Sequence, residues 1–200
     1  MTVIDLRFYS DPTFVPLVIL VDPQREYLAE GRALRLAEAE RVAANCRELL
    51  RFAREHGFPV AVTRWRQRGK FLADTSGFGG WIEGLEPHGS DMVFEKAMPS
   101  CYSNQSFAEM MAAGGGDHAV IAGFTGSLAC LSTMVDGYHR GHKLTFLSDA
   151  SASHPLDGCG AGESDAVVAS VVSLYARVST LSGWMNEQVR ALERPRAVRA

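Results

Sequence analysis

Apolar and polar positions along this 200-residue chain fall into blocks that alternate between strand-like runs and helix-like stripes. Leu17 to Val21 (LVILV) is an unbroken apolar run ending at Asp22-Pro23, the pattern of a strand buried on both faces of a parallel sheet. From Gly31 to His56, Leu34, Leu36, Ala37, Val42, Ala43, Leu49, Leu50 and Phe52 form a broad apolar stripe, which predicts a helix closed by Gly57. Phe58 to Thr63 is the next strand, with Pro59 tolerated near its start. Arg64 to Ser90 is a loop holding Gly69, Gly77, Gly79, Gly80, Gly84 and Gly89; loops of that length are usually functional or mobile. Met92 to Glu95 is a short strand, followed at once by Lys96.

Asn104 to Ala113 is a short helix ended by Gly114-Gly115-Gly116. Those glycines follow a helix and not a strand, so they are no dinucleotide-binding turn. His118 to Ala122 is a strand, and Ser127 is placed to N-cap a helix whose apolar face is Leu128, Leu131, Met134, Val135 and Tyr138. Gly141 closes that helix, and Leu144 to Leu147 is a strand ending before Asp149. Glu163 to Val178 is a helix, Val178 to Thr180 a last short strand, and Ser182 to Leu192 a terminal helix before the basic tail RPRAVRA, which is expected to fray. The alternation predicts an α/β fold: a three-layer αβα sandwich around a mostly parallel, six-stranded, Rossmann-like sheet. No repeat or long linker divides the chain, so a single domain over residues 1–200 is expected.

Composition narrows the class. A hydrophobic share of 46% and a charged share of 22% are those of an ordinary globular protein. The net charge of -3 and the lack of a basic stripe argue against nucleic acid. The most basic segment, Arg64 to Lys70, reads more readily as a solvated loop than as an anion site. No run approaches the ~20 apolar residues of a membrane span, and the N-terminus lacks a secretory pattern. Cys46, Cys101, Cys130 and Cys159 are scattered and expected to be free thiols in a cytoplasmic protein.

Chemistry concentrates where strands end. Ligands of open α/β sheets bind outside the carboxyl ends of the strands, and Asp22, Lys96 and Cys130 all fall at such ends. Each has a plain alternative as a turn residue, a solvated lysine or a core cysteine. Together they suggest a mechanism. Asp22 would take the thiol proton, Lys96 and the helix N-terminus would favour the thiolate, and N–H groups of the glycine-bearing turn would hold an oxyanion.

LVILVDPQREYL with Asp22, VFEKAMPSCYSN with Lys96 and VIAGFTGSLACLSTMVDGYHRGHKLTFLSDAS with Cys130 together resemble the isochorismatase-like cysteine hydrolases, from Leu17 to about Thr180. The separations of 74 and 34 residues (22 to 96, 96 to 130) match that family. The resemblance implies an Asp–Lys–Cys triad that hydrolyses a C–N bond through a thioester, with no cofactor. It also implies a cis peptide before the cysteine, by position Thr125–Gly126, and an oxyanion hole from the N–H groups of Gly126 and Cys130. The Gly123-to-Cys130 turn is one residue longer than in many amidase members, as in true isochorismatases. The zinc-ligand histidines of the nicotinamidases have no counterpart in TRWRQRGKFLADTSG, so no catalytic metal is expected. Candidate pocket residues are Gln24, Tyr27, Trp65, Phe78, Trp81, Tyr102 and Thr125, at least half of the aromatics serving only as core or interface. Asp149 is expected to cap or tie down a loop, His154 to make a loop contact, and Cys101 and Cys159 to be bystanders. The expected partners are a small-molecule substrate and further copies of the chain in a homodimer or homotetramer, with contacts from the Gly69-to-Gly89 loop and the termini. Three functions compete at this point: an amidohydrolase, a vinyl-ether hydrolase using Asp22 as acid, and a binding or scaffold protein without chemistry.

Overall fold

The computed structural model describes residues 15–66, 71–72, 77–115 and 118–193. The basic tail from residue 194 and the far end of the Arg64-to-Lys70 segment lie outside them. Six strands, β1 (Leu17–Val21), β2 (Val60–Trp65), β3 (Met92–Lys96), β4 (Ala119–Phe124), β5 (Leu144–Ala152) and β6 (Arg177–Ser179), form one sheet. Its order is β3-β2-β1-β4-β5-β6, and every pairing is parallel. Because β1 is all apolar and fully buried, it sits in the middle, covered on both faces. The helices are α1 (Ala39–Glu55), α2 (Gln105–Met110), α3 (Leu131–His139), α4 (Ala161–Val172) and α5 (Leu181–Glu193).

Alternate strand residues feed two cores. Val18, Leu20, Val62, Val120 and Ala122 pack with Leu49, Leu50 and Phe52 of α1 and Leu181 and Trp184 of α5. Ile19, Val21, Ala61 and Ile121 face the other way, onto Phe107 of α2, Met134 of α3 and Val168 and Val172 of α4. This is the three-layer αβα arrangement that the alternation predicts. The winding matters for function. The chain builds β1, β2 and β3 outward in one direction, then returns to lay β4 on the other side of β1. The resulting switch point between the carboxyl ends of β1 and β4 is where such sheets bind ligands.

The strands agree closely with the sequence reading, and the differences have local causes. The helix expected from Gly31 begins only at Ala39, because Leu36 turns back to give its N–H to the Tyr27 carbonyl at 2.9 Å. β5 runs five residues past the expected end. Its pairing with β4 slips between Phe146 and Ser151, where β5 advances five residues (146 to 151) and β4 two (121 to 123). That irregularity carries Ser148 and Asp149 past the register and brings Ser151 opposite Gly123. Ser127 caps nothing: residues Gly126–Cys130 form a π-turn, and α3 starts at Leu131. Among the described residues no helix is long and apolar enough to cross a membrane.

Gly123 is the backbone hinge of the switch point. Its φ is +125°, and a Cβ there would lie 2.2 Å from the Val21 carbonyl oxygen on the neighbouring strand. The expected result of Gly123→Ala is therefore a loss of at least about 3 kcal/mol, from the unfavourable φ together with the overlap. Urea unfolding of the two proteins measures it.

Candidate active site

Asp22 follows β1 directly and stands at φ 46°, a left-handed conformation that aspartate tolerates better than most residues. Its N–H is held by Thr63 of β2, whose carbonyl lies at 3.1 Å and hydroxyl at 3.2 Å. The Thr63 hydroxyl donates in turn to Asp22 Oδ1 at 2.8 Å. Asp22 Oδ2 lies 2.6 Å from Lys96 Nζ at the end of β3. Lys96 also donates to the Pro99 carbonyl at 2.9 Å and the Met98 carbonyl at 3.4 Å, and its ammonium rests 4.4 Å from the Trp65 ring centre. Neither charged side chain touches solvent. Burial raises the Asp22 pKa, against the lowering effects of Lys96 and Thr63. A carboxylate so placed is a stronger base than an exposed one.

Cys130 ends the π-turn beyond β4 and is completely buried. Within the turn the Cys130 N–H donates at 3.0 Å to the carbonyl of Thr125, five residues back. Ser151 of β5 donates its hydroxyl to the Gly123 carbonyl at 2.8 Å and lies 3.7 Å from Cys130 Sγ. Burial pushes the thiol up to about 12; the Ser151 hydroxyl lowers it, Cys101 and Asp22 raise it, and Lys96 lowers it. The expected thiolate at a helix N-terminus is thus a protonated thiol in the resting structure, because desolvation outweighs the dipole.

Two features of the turn correct the sequence reading. The cis peptide is Phe124–Thr125, one bond earlier than the expected Thr125–Gly126. The Cys130 N–H, expected to bind an oxyanion, is engaged by Thr125. Gly126 is packed closely: a Cβ there would meet Ser153 Oγ at 2.8 Å and Ser151 Oγ at 3.1 Å.

The candidate pocket residues divide. Trp65 covers Lys96, and its buried indole N–H has no hydrogen-bond partner among the described residues. Thr125 is buried in the turn, and Tyr27 stacks on the neighbouring Phe124 with ring centres 5.6 Å apart. Gln24 is fully occupied as a fastener: its amide donates to the Trp65 and Gly79 carbonyls at 3.0 Å each and accepts from the Trp65 N–H at 2.8 Å. Trp81 pairs with Gln24 through an antiparallel bridge. Phe78 lies beneath the Arg32 guanidinium at 4.5 Å, and Arg32 makes a two-pronged contact with buried Glu26. These contacts bind the glycine-rich loop to the segment after β1. Tyr102 is directed elsewhere: its hydroxyl shares a 2.6 Å hydrogen bond with His142 Nδ1 beside Gly137, about two turns along α3 from Cys130.

The structure adds Thr63, Ser151 and Cys101 to the neighbourhood. Cys101, expected to be a bystander, is buried with its Sγ 3.8 Å from the Thr63 hydroxyl, and burial pushes its thiol up to about 11. Thr63 was visible as a polar residue closing an apolar strand; nothing in PSCYSN marks Cys101, and Ser151 depends on the slipped register of β5. Asp149 has the tying role expected of it, accepting the Leu181 N–H at 2.7 Å at the start of α5. His154 makes its loop contact with the Leu34 carbonyl at 3.1 Å.

A buried thiol and a buried carboxylate–ammonium pair at the carboxyl ends of an all-parallel sheet, on either side of its switch point, are the makings of an α/β enzyme site. The family model for the isochorismatase domain matches residues 16–183, and the chain belongs to that family of hydrolases. Among solved structures, an isochorismatase from Pseudomonas putida KT2440 is 27% identical, with a TM-score of 0.77 over 84% of this chain and 88% of its own. A cysteine hydrolase from Pseudomonas syringae pv. phaseolicola 1448A has 23% identity and a TM-score of 0.79, covering 88% of this chain and 93% of its own. The N-carbamoylsarcosine amidase of Thermoplasma acidophilum shares the fold at 20% identity and a TM-score of 0.69, over 84% of this chain and 97% of its own. No curated protein matches the sequence.

The ion pair makes its own prediction. Lys96→Met leaves Asp22 buried without its counter-charge and is expected to cost about 3–5 kcal/mol in urea unfolding. Asp22→Leu combined with Lys96→Met removes both charges and should recover a large part of that loss.

Proposed function

We propose that the protein is a cofactor-independent cysteine hydrolase that cleaves the C–N bond of a small amide, ureido or carbamoyl compound, with Asp22, Lys96 and Cys130 as its catalytic residues. The observation that carries this reading is the buried Asp22–Lys96 pair on the same sheet edge as the buried Cys130 thiol. Asp22 accepts the proton of Cys130, and the thiolate attacks the carbonyl carbon. The Gly126 N–H stabilises the oxyanion, joined by that of Cys130 when its bond to Thr125 opens. As the C–N bond breaks, Asp22 returns the proton to the departing nitrogen. Water, deprotonated by the same carboxylate, then hydrolyses the thioester and restores the thiol. A carboxyl with a raised pKa suits both roles. Trp65 and Thr125 border the reacting group, and Lys96 keeps the pair neutral overall. The setting is the cytoplasm.

The five-residue π-turn favours one second reading, vinyl-ether hydrolysis, in which Asp22 protonates the substrate and no thioester forms. A panel of small amides, ureides, carbamoyl compounds and isochorismate, assayed for ammonia and pyruvate, separates the two. The expected outcome is ammonia release with an acyl adduct on Cys130 in quenched samples by intact mass. Cys130→Ala should lower that rate at least about a thousandfold without unfolding the protein. Normal turnover of the amide by Cys130→Ala overturns the proposal, and pyruvate without an adduct selects the second reading.

The same reading includes assembly into a homodimer or homotetramer. Its support is the exposure of Leu128, Tyr138, Val167, Val171 and Leu174 on the α3–α4 side, apolar surface of the kind found at subunit contacts. Light scattering on the purified chain should give a multiple of 21.8 kDa; a monomer at micromolar concentration overturns it.

A further inference from the structure

Thr63 has no assigned role, yet it makes more polar contacts with the candidate site than any of its neighbours. It is completely buried at the end of β2. A threonine hydroxyl has one hydrogen to give and two lone pairs to fill. Here all three are engaged. The hydrogen goes to Asp22 Oδ1 at 2.8 Å. The lone pairs face the Asp22 N–H at 3.2 Å and the Cys101 S–H at 3.8 Å. An ionised carboxylate can only accept, so the Thr63 hydrogen is committed to Asp22 Oδ1 and its lone pairs are left for the Asp22 N–H and the Cys101 S–H. The second methyl-bearing branch of threonine restricts χ1 and holds the hydroxyl on that course.

The two oxygens of Asp22 are therefore unequal. Oδ1 already accepts a hydrogen bond from a saturated donor. Oδ2 contacts the Lys96 ammonium at 2.6 Å and accepts no further hydrogen bond. We propose that Thr63 is a positioning residue that fixes the Asp22 carboxylate in its ionised, correctly turned form and reserves Oδ2 for the proton of Cys130. This rests on the reading of Asp22 as the base. The step is balanced: the S–H bond breaks, an O–H bond forms at Oδ2, the electron pair stays on sulfur, and the total charge of the group is unchanged. A hydrogen bond to a carboxylate favours its charged form. Removing the Thr63 donor must then raise the Asp22 pKa and narrow the pH range over which the base is ionised.

The test is the pH dependence of Cys130 alkylation by iodoacetamide, followed by peptide mass spectrometry on the full chain, with thermal melts alongside. In the wild type the acid limb of the profile reports ionisation of Asp22. Thr63→Val should shift that limb upward by about one pH unit, a roughly tenfold slower reaction at pH values below it. Thr63→Ser, which keeps the hydroxyl, should stay within about twofold of wild type. A merely structural role would lower the melting temperature and leave the limb in place. Should Thr63→Val fail to fold, Thr63→Ala reads the same limb. An unmoved limb in a folded Val or Ala variant overturns the inference. Asp22→Asn separates this from the parent reading: if it leaves the wild-type profile intact, Asp22 is not the base and both fall. If it abolishes the limb while Thr63→Val does not move it, only the role of Thr63 falls.

Discussion

An aspartate and a lysine 2.6 Å apart, both shut off from water, set the terms for the rest of this structure. Each ion loses several kcal/mol of hydration on burial, and their attraction offsets that loss only with good geometry and further hydrogen bonds. The surroundings supply those bonds. Thr63 serves the carboxylate, the Met98 and Pro99 carbonyls and the Trp65 face serve the ammonium, and Gln24 clamps the backbone of Trp65 in place. Gly79 and Leu72 of the glycine-rich loop are anchored to the same segment through Gln24 and Glu26. The ion pair thus requires β1, β2 and β3 to end at one level, which their parallel registers provide.

The sulfur side of the site is arranged on different grounds. Cys130 lies among Ala129, Met134 and Phe146 in an apolar core, and its thiol is pushed up to about 12. The partial charge of a helix terminus falls off within a turn and does not overcome that burial. In the proposed mechanism the Cys130 proton passes to Asp22, a carboxylate whose own pKa is raised by burial.

How much of this was legible in the sequence follows from which interactions are local. LVILV, FPVAVT and the other apolar runs declare strands because burial on both faces leaves no polar positions. Asp22, Lys96 and Cys130 could be placed on one edge because each immediately follows such a run. The turn before Cys130 was less legible. Neither the position of its cis bond nor its π-turn was readable from the residues, and Gly126 within it packs against Ser151 and Ser153. Those serines arrive by a register slip of β5 that no alternation pattern records. Tyr102 shows the opposite failure: close to Lys96 in sequence, it is carried away by the short helical turn at Cys101–Ser103 to join His142. Contacts between segments forty residues apart, such as Gln24 with Trp65, leave no mark on either segment alone.

The strand order has one more consequence. β1, β2 and β3 form one half of the sheet and β4, β5 and β6 the other, meeting only where β1 pairs with β4. All the fixed charge of the site belongs to the first half and the sulfur, with its serine, to the second. The seam between them is narrow at its functional end: Val21 lies opposite Gly123, with no room for a side chain on the latter. The buried ion pair and the buried thiol thus come from different halves of the chain, and neither half alone holds all three residues. The candidate site is a property of the seam.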